Sequence, residues 1–235
     1  MTAEADAVFA RFKRFKGPNA SNVTRHRLID DWLRDRLRNT PDLRIILLGA
    51  GFDTRAFRLA GGRWIEFDQP AIITVKEAAL PASGAPNSLQ RIAIDFATGL
   101  LAERLAPWVG EKPITVVIEG VATYLRQAEL RRTLDALVRT FPKHVLICDL
   151  MTAKFVRLYS GWLRRWVEEM GGRFGEAVDD PAGTVIDAGY RQLVQVSIIE
   201  KARELGAILI PRPILNTLLR GLRDGYRAYI FEAIA

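Results

Sequence analysis

Cysteine is nearly absent from this chain, with one residue, Cys148, among 235. A lone thiol excludes an internal disulfide framework, and its place in the apolar run Val145-Leu146-Ile147-Cys148 makes it a buried core residue in a reducing compartment. Histidine is almost as scarce, with two residues, so general-base chemistry has few places to sit. His144 precedes the fifth predicted strand, the wrong end of a parallel sheet for a ligand. His26 follows Arg25 and is expected to point away from the buried face. No apolar run approaches the length of a membrane span, and Glu4, Asp6, Arg11, Lys13 and Arg14 interrupt any apolar core that a secretory signal needs. A soluble, cytoplasmic protein is the expectation. There is no internal repeat, low-complexity tract or second domain, so residues 1–235 read as one domain.

The hydrophobic content of 49% is ample for a sizeable core in a chain of this length. A net charge of +7 and a pI near 9.8 suit an acidic substrate, nucleic acid or a membrane surface. The arginines are scattered along the whole chain, however, and scattered charge reads as solvated surface. Neither a nucleic-acid partner nor a membrane partner is expected.

The most informative stretch is Ile45-Ile46-Leu47-Leu48-Gly49-Ala50-Gly51-Phe52-Asp53-Thr54-Arg55. Four apolar residues in a row read as a buried parallel strand. Gly49 and Gly51 let the chain turn sharply and let a ligand lie against bare backbone, while Asp53 or Thr54 can cap the following helix. The dinucleotide fingerprint wants a glycine where Thr54 stands, and the Gly-Lys-Ser/Thr ending of a phosphate-binding loop is missing. The next run, Trp64-Ile65-Glu66-Phe67-Asp68, ends in an acid placed to accept both ribose hydroxyls. A third, Arg91-Ile92-Ala93-Ile94-Asp95-Phe96, again ends in an acid. NAD explains the first acid but not the second, whereas an adenosyl ligand with an exocyclic amine needs an acceptor there too. Glycine turn, ribose acid and adenine acid form the order expected for S-adenosyl-L-methionine. No ligand set for a metal is evident.

Upstream, Asp6 to Lys16 is predicted helical, with Val8, Phe12 and Phe15 on one face and Gly17-Pro18 as its stop. Ser21 or Asn22 is expected to cap a second helix running to about Arg38, with Leu28, Ile29, Trp32, Leu33 and Leu37 on its apolar face. Arg25 extends that stripe and needs a partner, because an unpaired buried charge is costly. Its partner is either an internal acid, Asp30 or Asp53, or a ligand carboxylate gripped by the planar fork. Residues 1–40 are expected to act as an N-terminal helical lid.

These stretches, with Arg25-His26-Arg27-Leu28-Ile29-Asp30-Asp31 before them and Glu119-Gly120-Val121-Ala122-Thr123-Tyr124-Leu125 after, resemble the successive motifs of the leucine carboxyl methyltransferase family. That family includes phosphatase-tail methyltransferases and bacterial tetracenomycin-type polyketide carboxyl O-methyltransferases. The resemblance covers roughly residues 25 to 150. It implies a Rossmann-like class I α/β fold with a seven-stranded, mostly parallel sheet, its last strand antiparallel and helices on both faces. It implies S-adenosyl-L-methionine as cofactor, contacted by Arg25, Gly49, Asp68, Asp95, Phe96 and Glu119. It also implies O-methylation of a small-molecule carboxylic acid. Leu47 stands where many methyltransferases carry an acid; in this family the arginine and the fourth-strand glutamate take over the methionyl end. The chain is shorter than the bacterial members, so the lid or cap is expected to be reduced.

The remaining pattern completes such a sheet. Helices are predicted over Ala71–Leu80, Gly99–Val109, Ala128–Phe141, Glu200–Leu205 and Ile214–Leu222, with a loop from Pro81 to Ser88. Strands are predicted over Ile114–Ile118, Val145–Leu150, Arg191–Ile199 and Tyr226–Ala233. Between about 151 and 190, a helix rich in Tyr159, Trp162, Leu163 and Trp166 with Arg164 and Arg165 is expected either to lean over the site as a substrate cap or to pack as a plain helix; as a cap, its Trp162 and Trp166 are expected to line the acceptor pocket with Tyr124. A carboxylate nucleophile is already ionised at neutral pH, and the shortage of bases favours it. Tyr124 or Asp149 remains open as a base for a hydroxyl. A nucleic-acid or phenol methyltransferase and a non-catalytic cofactor-binding protein are the alternative readings. The first lacks an Asn/Asp-Pro-Pro-aromatic motif and a separable basic arm.

Overall fold

The structure, a computed structural model, describes residues 16–96, 100–110, 113–159, 161 and 174–234. The helix predicted over Asp6–Lys16 lies almost wholly outside them, as do Trp162, Leu163, Arg164, Arg165 and Trp166. The first described element is α1 (Lys16–Asn39). Gly17-Pro18 is itself helical in α1, while the helix it was expected to end lies almost wholly outside the described residues. Ser21 and Asn22 lie inside α1 rather than at its cap.

Strands and helices then alternate through β1 (Arg44–Leu48), α2 (Arg55–Arg58), β2 (Arg63–Asp68), α3 (Pro70–Ala79), β3 (Ser88–Ala93), α4 (Leu101–Leu105), β4 (Ile114–Ile118), α5 (Gln127–Thr140), β5 (Val145–Met151) and α6 (Ala153–Tyr159). The chain closes with α7 (Pro181–Ile186), β6 (Tyr190–Ser197), α8 (Ile198–Glu204), α9 (Arg212–Asn216), α10 (Arg220–Gly225) and β7 (Tyr226–Ala233). Some predicted boundaries move. The helix expected over Gly99–Val109 shortens to α4 and a 3-10 turn at Ala106–Trp108, because Pro107 cannot donate a helical bond. The helix expected over Ile214–Leu222 is broken between α9 and α10 at Thr217, whose backbone leaves the helical region. Strand β3 starts earlier than expected, at Ser88.

One sheet of seven strands results, in the order β3-β2-β1-β4-β5-β7-β6. Strands β1 to β5 pair in parallel, and β7 runs antiparallel to both β5 and β6. Alternation along the buried strands assigns the two faces. Ile46, Leu48, Ile65, Phe67, Val116 and Ile118 pack with Leu130, Leu134 and Leu137 of α5. Ile45, Leu47, Trp64, Val117 and Ile147 pack with Ile29, Leu33 and Leu37 of α1. Cys148 is buried in the first cluster, and that burial, helped by Asp149, pushes its thiol well above the ordinary range.

The later half of the segment expected as a lid is thus a packed layer of the domain, and its apolar stripe fixes where Arg25 stands, one turn before Ile29. Leu33→Ala, at a site with 0% exposure, is expected to cost about 2 to 5 kcal/mol in urea denaturation. A loss under about 0.5 kcal/mol, the range of ordinary surface substitutions, would show that α1 is not anchored through this face.

Candidate active site

Chain order reverses between β1 and β4, and in open parallel sheets ligands bind at the carboxyl edge of such a switch point. A cavity of about 280 Å³ opens there, formed by the turn after β1 and by Arg25, His26, Arg55 and Glu119. The turn is tied to β2 because Gly49 and Ala50 both donate to the Phe67 carbonyl, at 2.9 and 3.1 Å. Gly49 has φ +70°, and a Cβ on it would stand 2.4 Å from Val121. Gly51 has φ +47°, and a Cβ there would meet no protein atom within 4 Å. Gly49 is therefore required by packing, whereas Gly51 keeps open space bare. Asp68, 8% exposed, holds the turn from below by accepting from the Gly51 N–H at 2.6 Å and, through its other oxygen, from the Gln69 N–H at 2.7 Å.

Arg55 was part of a sequence motif but carried no predicted role. It has 0% exposure, so each of its nitrogens must find an acceptor. Nε donates to Asp30 at 2.6 Å and Nη1 to Asp53 at 2.5 Å, while Nη2 lies 2.7 Å from Oε2 of Glu119. That last contact is ionic without hydrogen-bond alignment, and Oε2 is buried with no hydrogen-bond donor. Asp53 also accepts from the Arg55 N–H at 2.6 Å, so it starts α2 while Thr54, at the cap position, makes no capping bond. Burial alone would raise the pKa of Glu119. A hydrogen bond from His26 and the charges of Arg55 and Arg25 outweigh it and hold the carboxyl far below its ordinary value. Asp30 is lowered in the same way, hydrogen bonds from Arg58 and Arg55 overcoming its burial.

Arg25 finds neither Asp30 nor Asp53, which serve Arg55. Its Nε donates to Glu119 at 3.0 Å, and its Nη1 reaches the Tyr226 hydroxyl at 2.6 Å and Asp149 at 3.3 Å. Its Nη2 makes no hydrogen bond among the described residues and faces the Gly120 turn. His26 does not point away from the buried face, as expected, but into this network. Its Nδ1 is 3.2 Å from Glu119, and its Nε2 is 2.6 Å from a nitrogen of Arg58. Nη2 of Arg55 also lies 2.9 Å from Nδ1, so both ring nitrogens meet guanidinium donors and either tautomer leaves one of those contacts without an acceptor. His26, Asp53 and Glu119 also offer ligand atoms within 4.8 Å of one another. Arg55 already supplies their positive charge, so they form an ion-pair network and not a metal centre.

The structure thus brings Arg25, Gly49, Gly51 and Glu119 to one cavity, with Asp68 on its supporting turn. Asp95 and Phe96 follow β3 at the same sheet edge but do not line it; Asp95 is exposed and Phe96 packs against the core. Tyr124 is 44% exposed on the turn after β4, its ring edge-on to Phe174 at 5.3 Å. Burial raises its pKa, with Arg25 opposing and Asp149 adding to the shift, so the phenol stays protonated at neutral pH. Asp149 is 1% exposed and bonded to Gly120, Tyr226 and Arg25. It cannot serve as the base left open by the sequence. His144 is buried between the Phe141 carbonyl and the Tyr190 hydroxyl, and burial lowers its pKa.

A mostly parallel sheet with a reversed last strand, and a glycine turn and acids at its carboxyl edge, define the class of Rossmann-like methyltransferases. The sequence pattern of the leucine carboxyl methyltransferase family matches residues 2–138, and the chain belongs to that family, whose cofactor is S-adenosyl-L-methionine. A protein of Mycolicibacterium gilvum, provisionally named an S-adenosyl-L-methionine-dependent methyltransferase, is 32% identical over 168 residues, covering 67% of this chain and 54% of its own. The tetracenomycin polyketide synthesis O-methyltransferase TcmP of Streptomyces glaucescens is 28% identical over 163 residues, covering 67% and 56%. The chain thus spans about half the length of the curated relatives it matches. Among solved structures, a provisionally named methyltransferase of Thermobifida fusca superposes with a TM-score of 0.68 at 16% identity, over 99% of this chain and 89% of that one. The magnesium protoporphyrin IX methyltransferase of Synechocystis, solved with S-adenosylhomocysteine, gives 0.56 at 14%, over 97% and 94%.

The residues present fit that cofactor. The bare space at Gly51, the open Nη2 of Arg25 and the donor-less Oε2 of Glu119 suit a nucleoside carrying an amino-acid zwitterion. The charge network also sets a pH dependence. Glu119 and Asp30 have lowered folded-state values, so the unfolded chain binds more protons in acid. Their contribution is complete above about pH 5 and is lost as the pH falls through the lowered values. Arg55→Met leaves Asp53 without its guanidinium and takes one cationic partner each from Asp30 and Glu119; it is expected to cost about 3 to 5 kcal/mol at neutral pH and to move the acid-unfolding midpoint upward. An unchanged midpoint in denaturation series across pH would show that Arg55 does not hold these carboxylates down.

Proposed function

We propose that this protein transfers the methyl group of S-adenosyl-L-methionine to a carboxylate of a small molecule. The observation that carries the reading is the pairing, beside the glycine turn, of a guanidinium nitrogen of Arg25 and a carboxylate oxygen of Glu119 that make no hydrogen bond among the described residues, the oxygen held only by the charge of Arg55. In this reading Nη2 of Arg25 grips the methionyl carboxylate and Oε2 of Glu119 accepts from the amino group. Asp68 receives the ribose hydroxyls, Asp95 and Phe96 meet the adenine, and Gly49 and Gly51 allow close approach. When bound, the cofactor supplies an electrophilic methyl on a sulfonium. What the chain contributes is orientation, which can be worth about 7 to 11 kcal/mol.

The choice of a carboxylate rests on the lack of a base. Among the described residues near the cavity, Tyr124 keeps its proton, Asp149 is fully bonded, and both ring nitrogens of His26 lie against guanidinium nitrogens, of Arg55 and Arg58. An acceptor that arrives ionised needs none of them. The family's description and TcmP's name, both of oxygen methylation, agree. Tyr124, Trp162 and Trp166 are proposed to line the acceptor pocket, and the segments 1–40 and 151–190 to enclose it within a single domain. The hollow of about 20 Å³ under the Ala122–Tyr124 turn has room for a water and not for an acceptor.

Asp68→Ala is expected to weaken S-adenosylhomocysteine binding by about 1.5 to 3 kcal/mol, the range for a hydrogen bond to a charged group. Calorimetry giving unchanged affinity in a folded variant would remove the ribose assignment. With a carboxylate acceptor, single-turnover rates should hold a plateau above the acid's own pKa, with no rise between about pH 7 and 9, where a phenol or amine would be losing its proton. The product should be an ester cleaved by mild alkali. A methyl group stable to that treatment identifies an ether or amine and rules the carboxylate out. Binding without turnover on a panel of acids identifies a binding protein.

A further inference from the structure

The strand that completes the sheet carries a tyrosine outside the residues 2–138 that match the family pattern. Tyr226 opens β7 opposite Met151 of β5 and is 2% exposed. Its ring packs on Phe155, with 5.4 Å between centroids, which accounts for the ring but not for the hydroxyl. A buried phenol oxygen needs partners. This one accepts from Nη1 of Arg25 at 2.6 Å and donates to Oδ2 of Asp149 at 3.1 Å. The other oxygen of Asp149 accepts from the Gly120 N–H at 2.6 Å. With Nε bound by Glu119 and Nη1 held from β5 and β7, the guanidinium has one orientation, and its planar fork leaves Nη2 directed at the Gly120 turn.

We infer that Tyr226 is a positioning residue for the amino-acid end of the cofactor. Together with Asp149 it locks Arg25 so that Nη2 meets the carboxylate, and affinity then depends on that end of the ligand as well as on the nucleoside. The inference rests on the reading of Arg25 given above. A tyrosine that only packed would support both ends of the ligand equally.

Calorimetric binding of S-adenosylhomocysteine and of 5′-methylthioadenosine, which lacks the amino-acid carboxylate, separates the two roles. Tyr226→Phe keeps the ring and deletes the hydroxyl. It is expected to weaken S-adenosylhomocysteine about tenfold and to leave 5′-methylthioadenosine unchanged. In an Arg25→Met background the same substitution should add nothing, because residues acting as one unit are not additive. Equal weakening of both ligands, no weakening of either, or an undiminished effect without Arg25 overturns the inference. If Tyr226→Phe does not fold, Asp149→Asn breaks the same clamp while still able to accept from Gly120, and it must show the same selectivity or the inference falls. A parent protein that binds neither ligand sinks the cofactor reading and this inference together, whereas a parent that binds and a variant that does not discriminate sink this inference alone.

Discussion

A guanidinium buried to 0% exposure has to be surrounded by acceptors, and at Arg55 those acceptors come from three separate parts of the chain. Asp30 is delivered by α1, Asp53 by the turn after β1, and Glu119 by the residue following β4. Leaving any of these charges alone in the interior would cost several kcal/mol. The helix, the glycine turn and the end of β4 must therefore arrive together. The cavity is the space that remains when they have done so, and its electrostatics are those of the network left over. Among the described residues, Nη2 of Arg25 and Oε2 of Glu119 make no hydrogen bond, the oxygen being held only by the charge of Arg55.

A second buried charge group lies two residues back from Asp68 and holds the neighbouring part of the edge. Glu66, Lys76 and Arg91 are exposed by no more than 3% in their side chains, with Lys76 Nζ at 2.7 Å and Arg91 Nε at 3.0 Å from the same carboxylate oxygen. This set fastens α3 and β3 to β2. It thereby sets the relative heights at which Asp68 and Asp95 leave the sheet. The two networks act alike: arginine or lysine side chains cross from one element to an acid on another, and the carboxyl edge is made rigid by the cost of separating them.

The reversed last strand contributes in a different way. Because β7 runs antiparallel beside β5, its first residue, Tyr226, stands opposite Met151 at the carboxyl edge of β5. A parallel strand in that slot would start at the opposite edge of the sheet. The reversal thus lets a residue more than two hundred positions from Arg25 bond to its guanidinium, and it gives Asp149 a partner inside the sheet.

Much of this was written in the order of residues. Four apolar residues before Gly49, single acids after β2 and β3, and Glu119 directly after Ile118 are local patterns, because strand burial and tight turns act over a few residues. They determined the run of strands, the glycine turn and the family, and the reversed final strand followed from the resemblance to that family rather than from any local pattern. Helix starts were less legible. Ser21 and Asn22 read as caps because the side chains that cap a helix can also sit within one, and nothing local marks which of the two applies. The partners of the charges were not legible at all. Proximity along the chain offers Arg25 only Asp30 or Asp53 as an internal partner beside a ligand carboxylate, turns His26 away from the core and leaves Tyr124 or Asp149 open as a base. Only the tertiary structure decided that Arg55 takes Asp30 and Asp53 while Arg25 takes Glu119, Asp149 and Tyr226. Ion pairing is a matter of distance and burial in space, and those are set when the sheet assembles.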